Sequence, residues 1–135
     1  MVGNIDLLPV YKEAVELEAM AYISQEHIPK KYRHNLWLDV MRNASSVCDG
    51  ICDAYHIPKD DTENKVRAVV FALSNLAQLE RRTTTANNMQ ALNDKQKALY
   101  DIKLHSIRKN LLGWLNSLKS KSNQNGAGTP VSENS

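Results

Sequence analysis

Residues that turn, staple or stack a chain are scarce in this sequence. There are five glycines and four prolines in 135 residues, and two of those glycines and one proline fall in the last ten. A body so poor in turn-formers is expected to hold few and long elements. Only two cysteines are present, Cys48 and Cys52. Four positions apart, they cannot staple distant segments, and the expectation is a reduced, cytoplasmic protein. No apolar run reaches the length of a membrane span, so no membrane partner is expected. The opening Met1-Val2-Gly3-Asn4-Ile5-Asp6 lacks the basic and then apolar order of a signal peptide. Aromatics make up 6% of the chain, too few for a surface of stacking rings.

Catalytic signatures are missing as well. None of His27, His34, His56 and His105 lies three residues after a glutamate, as di-iron bundles require. No arginine has a histidine five positions on, the pattern of one class of helical ribonuclease. There is no Gly-rich phosphate loop and no Gly-x-Ser-x-Gly elbow. No catalytic residue, metal or cofactor is therefore assigned. The cluster Cys48, Cys52 and His56 has the i, i+4, i+8 spacing that could share a soft metal. Both cysteines also continue an apolar arc, and they are read as small buried hydrophobes.

What is present is helical periodicity. Pro9 suits a first helical position, and Val10, Ala14, Leu17 and Ala21 recur every three to four residues, predicting a first helix that ends near His27, before Ile28-Pro29. A second helix is predicted from Lys31 to His56. Leu36, Trp37, Val40, Met41, Ala44, Val47, Cys48, Ile51, Cys52, Ala54 and Tyr55 fall within an arc of about 160°, against the stripe of about 100° that one neighbour needs. This helix should touch two neighbours. Asp60-Asp61-Thr62-Glu63 opens a third helix, with a seam of Val66, Val69, Val70, Leu73, Leu76 and Ala77, and Phe71 and Leu79 off it. Arg81 to Leu92, rich in Thr and Asn, reads as frayed helix and loop. Asn93, with Gln96 three residues on, caps a fourth helix from Asp94 to Lys119, whose band is Tyr100, Leu104, Ile107, Leu111, Trp114, Leu115 and Leu118. The expected fold is all-α, an antiparallel up-down-up-down four-helix bundle over residues 1–121, followed by a flexible polar tail over 122–135.

Charge is distributed unevenly. Residues 1–64 carry 6 Lys/Arg against 11 Asp/Glu, and residues 65–121 carry 11 against 3. Such asymmetry points to an anionic partner for one surface, or to opposite-sign packing between subunits. Lys95, His105, Arg108, Lys109 and Lys119 share an arc of about 140° on the fourth helix, away from its core band. Arg81-Arg82 have only Glu80 beside them. Arg81, Arg82, Lys95, Arg108, Lys109 and Lys119 are the candidate nucleic-acid or partner-binding residues. They would reach phosphates through charge, with little base discrimination.

Two segments carry a family resemblance. Ile28-Pro29-Lys30-Lys31 and Leu112-Gly113-Trp114-Leu115, with the helix spacing over residues 8–121, resemble the accessory variability determinant (Avd) of diversity-generating retroelements. The resemblance implies a homopentamer of four-helix subunits without catalytic activity. It would bind a reverse transcriptase and template RNA, or a DNA/RNA hybrid, in support of mutagenic retrohoming. The bundle proteins encoded in intervening sequences of 23S ribosomal RNA share that fold. They imply an alternative: a self-assembling bundle with no defined nucleic-acid role.

Overall fold

The computed structural model describes residues 4–125, with side chains described through residue 121. After a 3-10 turn at Ile5–Leu7, the elements are α1 (Pro9–Ser24), a 3-10 turn (Gln25–His27), α2 (Lys30–Arg33), α3 (Leu36–His56), α4 (Thr62–Asn88) and α5 (Asp94–Asn125). All regular structure among the described residues is helical, and the four long helices pack against one another. α3 packs on α1 and on α4, α4 packs on α5, and α5 returns to α1.

α1 begins with Pro9 at a position whose missing N–H costs nothing, and it buries Val10, Ala14, Leu17 and Ala21. It ends as expected before proline: Ile28 is extended, with φ −83° and ψ 131°, and fully buried. The helix predicted from Lys31 to His56 is in fact two. Asn35 breaks it, accepting from the Leu36 N–H at 2.6 Å and donating to the Lys31 carbonyl at 2.9 Å. A short amide side chain that bonds its own backbone competes with the helix ladder, and here it restarts the helix as a cap. Arg33 folds back over this corner, donating from Nε and Nη2 to the Ile28 carbonyl at 3.3 and 3.0 Å.

α3 has the two neighbours its wide apolar arc requires, and both belong to the same chain. Toward α1, the Trp37 indole N–H donates to the Ala21 carbonyl at 2.8 Å, and the Ser45 hydroxyl donates to Glu18 at 2.6 Å. Toward α4, Gly50 lies so close that a methyl there would stand 2.9 Å from Ala72 Cβ and 3.0 Å from the Ala68 carbonyl oxygen. The arc's width therefore demands no partner subunit. Trp37 is fully buried and meets Tyr100 of α5 edge to face at 6.0 Å, and the Tyr100 hydroxyl lies 2.8 Å from Ser24 Oγ of α1. This cluster joins three helices, with both polar tips hydrogen-bonded.

α4 departs from expectation in two ways. Its buried stripe is Val69, Ala72, Leu76, Leu79, Thr83 and Ala86, whereas Val70 and Ala77 are exposed. Leu79, placed off the seam by periodicity, is fully buried. The close Gly50 contact selects small Ala72 for the interface and turns larger Val70 outward. The helix also continues through the Thr-rich stretch to Asn88. The hydroxyls of Thr83, Thr84 and Thr85 donate to the carbonyls of Glu80, Glu80 and Arg81. Burial of Thr83 and Ala86 outweighs the weak helix propensity of the three threonines. Asp61 caps the start by accepting from the Asn64 N–H.

Asn93 and Gln96 bond reciprocally, N–H to side-chain oxygen, at 2.8 and 2.9 Å, as the capping box predicted. The core band of α5 is the expected one, with Trp114 half-buried. α5 runs to Asn125, so its backbone is helical for four residues of the segment expected as tail, and the rest of that segment lies outside the described residues. No described helix is long and apolar enough to cross a membrane.

Candidate functional site

The basic character of residues 65–121 is partly consumed within the fold. Lys65 is buried, its ammonium donating at 2.6 Å to the Ala54 carbonyl near the C-terminus of α3, where cations are favoured. Burial holds its pKa below the usual lysine value, with nearby Lys121 adding to the shift. Lys97 pairs with Asp101, Lys103 with Glu16 at 2.8 Å, and Arg67 with Glu63 at 2.8 Å.

The six candidate residues are divided rather than gathered. Arg108 pairs with Glu80 across the α4–α5 junction. The other five have no carboxylate within 4.0 Å among the described residues. Arg81, Lys95, Lys109 and Lys119 are exposed. Lys109 follows Arg108 directly, so it points about 100° away from the Glu80 side. Arg82, about 100° round the helix from Arg81, reaches into the seam between α3 and α4.

In that seam lies a polar cluster that the sequence pattern did not single out. Asn43 of α3 is only 4% exposed. Its amide donates to Asn75 Oδ1 at 3.0 Å and to Gln78 Oε1 at 3.1 Å. Its carbonyl oxygen accepts from Arg82 Nη1 at 2.5 Å, and the same Nη1 lies 3.4 Å from Gln78 Oε1. By helical phase alone, Asn43 falls outside the apolar arc of its helix. The only advance signal was the row Phe71, Asn75, Gln78, Arg82 at helical spacing on the next helix.

Cys48 and Cys52 are both free thiols. Burial, followed by the Glu18 and Asp49 carboxylates, pushes the Cys48 thiol up to about 12. It stays protonated at neutral pH and is a poor ligand and nucleophile. Cys52 is half-buried, with Sγ 3.6 Å from His56 Nδ1, but that ring nitrogen lies 2.9 Å from the Cys52 carbonyl oxygen, a geometry typical of a helix end. No group of three or more His, Cys, Asp or Glu side chains is placed to hold a metal among the described residues.

Besides Val70 and Phe71 of α4, apolar side chains reach solvent on α1 and α5. On α1 these are Val15, Tyr22 and Ile23, and on α5 they are Leu99, Ile102 and Leu112, with Ile23 66% and Ile102 68% exposed. The Ser24–Tyr100 hydrogen bond brings the Ile23 and Leu99 levels of the two helices together. Against known proteins, the chain matches no family model and no curated sequence.

Proposed function

We propose that this chain is a non-catalytic binding protein of the retroelement accessory type. It would act in the cytoplasm as a homo-oligomer that binds a reverse transcriptase and its template RNA. The observation that carries the reading is the set of five cations, Arg81, Arg82, Lys95, Lys109 and Lys119, that no carboxylate neutralises among the described residues. Within residues 65–121, four of the other six cations are ion-paired inside the fold and Lys65 is hydrogen-bonded to a backbone carbonyl, so these five, with Lys121, remain available to an anionic partner. The Avd-like resemblance of Ile28-Pro29-Lys30-Lys31 and Leu112-Gly113-Trp114-Leu115 names the partner class. The self-assembling intervening-sequence type of bundle is the second reading, favoured by the apolar residues exposed on α1 and α5.

The antiparallel up-down-up-down order belongs to the same proposal. It is supported by contacts whose numbers run in opposite directions: Ala54 with Lys65 and Asn43 with Arg82, Ser24 with Tyr100 and Glu13 with Ser106. The binding test is charge reversal at exposed positions, Arg81→Glu with Lys109→Glu and Lys119→Glu. Arg108 is unsuitable, because a glutamate there would face Glu80 and weaken the bundle. Affinity for labelled RNA should fall at least tenfold in the triple variant, and wild-type binding should weaken steeply with salt as counterions are released. An unchanged affinity in a folded triple variant would refute the reading.

A further inference from the structure

The α3–α4 seam adds an element that free charge alone does not supply. Phe71, Asn75, Gln78 and Arg82 occupy one side of α4 within an arc of about 60°, spanning roughly 16 Å of helix. Phe71 is the chain's only phenylalanine and is 50% exposed. Arg82 has its Nη1 engaged by Asn43 and Gln78, which fixes the guanidinium plane. Of its five donors, the Nε hydrogen and both Nη2 hydrogens have no acceptor among the described residues. That free edge is the one that takes a phosphate or carboxylate in bidentate fashion. Arg67 and Arg108 differ, because each has Nη2 committed to a glutamate.

We propose that this seam is a contact for single-stranded nucleic acid, in which the Nε/Nη2 edge of Arg82 takes a backbone phosphate and Phe71 stacks on a base two to three nucleotides away. The inference rests on the nucleic-acid reading above and narrows it to unpaired strands. Stacking needs an unstacked base, which a duplex does not present, and it tolerates any base because each has a π face. At the far end of the seam, Asp53 and Asp61 line a shallow cleft with His56 and Asn64. Their charge repels a phosphate backbone and confines the contact to the Phe71–Arg82 half. Asn43, buried beneath, acts as a positioning residue for Arg82.

Fluorescence anisotropy with a labelled 12-nucleotide oligouridylate and with a labelled RNA duplex of equal length tests this, using the full chain. Phe71→Ala alters an exposed side chain and should leave the thermal melt unchanged. It should weaken single-strand binding about 5- to 100-fold, the size of one lost base stack, with duplex binding unaffected and Phe71→Tyr restoring affinity. Arg82→Lys, which keeps the charge but loses the fork, should weaken both strands' phosphate contact less than Phe71→Ala weakens stacking. RNA binding that is normal in Phe71→Ala, or reduced equally for both forms, overturns the seam while leaving the charge-based reading intact. Absence of any RNA binding by the wild-type chain overturns both.

Discussion

At Gln90 the backbone enters the left-handed region, with φ 63°, to turn the chain from α4 into α5. The Ala91 and Leu92 N–H groups both bond the Ala86 carbonyl there, closing the helix end. A side chain in that region costs about 1 kcal/mol that glycine does not. Gln90→Gly should therefore raise stability by no more than roughly 0.5 kcal/mol in a denaturant melt, after the extra freedom glycine gives the unfolded chain. An unchanged or lower midpoint would mean that the Gln90 side chain has a role. The same scale shows where residue identity misleads. Asn43 reads as a solvent residue from its helical phase, yet it is buried because Asn75, Gln78 and Arg82 satisfy its amide. Periodicity sees polarity but not the partners that make burial of polarity affordable. Lys65 has the same history, buried because the Ala54 carbonyl lies within its reach.

Between elements, the tightest approach is α3 on α4 at Gly50. Gly50→Ala should gain helix propensity of about 1 kcal/mol and lose more through overpacking of about 1–3 kcal/mol. The obstructing atoms are Ala72 Cβ and α4 backbone, not a flexible side-chain tip. A net loss of stability in a thermal melt is the expected outcome, and Ala72→Gly in the same chain should restore part of it. The α1–α5 contact is instead polar at its edge, where Glu16 pairs with Lys103 and Glu13 accepts from Ser106 and Asn110. The Lys103 hydrogen bond and charge hold the Glu16 carboxyl below its usual value. A carboxyl with a depressed folded pKa favours the folded state above its unfolded value, and that contribution is lost as pH falls through the folded one. Titration of Glu16 by NMR should show the depressed value, and Lys103→Met should move it upward. Because Glu16 is exposed, the associated change in stability should be small.

For the whole molecule, the outer faces of α1 and α5 carry Tyr22, Ile23, Leu99 and Ile102 into solvent, and these are the residues that self-association would cover. Burying one such isoleucine is worth roughly 1.5–3 kcal/mol, so several repeated around a ring would hold subunits together. Light scattering at micromolar concentration should give the mass of an oligomer for the wild-type chain. Ile23→Glu with Ile102→Glu should reduce it to the monomer while circular dichroism keeps its helical signal. A monomeric wild type, or a variant of undiminished mass, would exclude this face as an interface. α3 contributes nothing to that argument, since α1 and α4 of the same chain cover its apolar arc.

Helical class, the four long helices, the stop before Pro29 and the Asn93–Gln96 cap were legible before any tertiary contact was known. Each depends on residues within a few positions, namely apolar spacing, a missing proline N–H and a short side chain that can reach a nearby backbone group. The persistence of α4 through Thr83–Thr85, the burial of Leu79 and the division of the cations were decided only by packing, whereas the break at Asn35 is itself local, set by a side chain that bonds its own backbone. Whether Arg108 meets Glu80, or Arg82 meets Asn43, depends on the rotation of one helix against another. That rotation follows from the close contact at Gly50 and the cluster around Trp37, which join residues far apart in the chain.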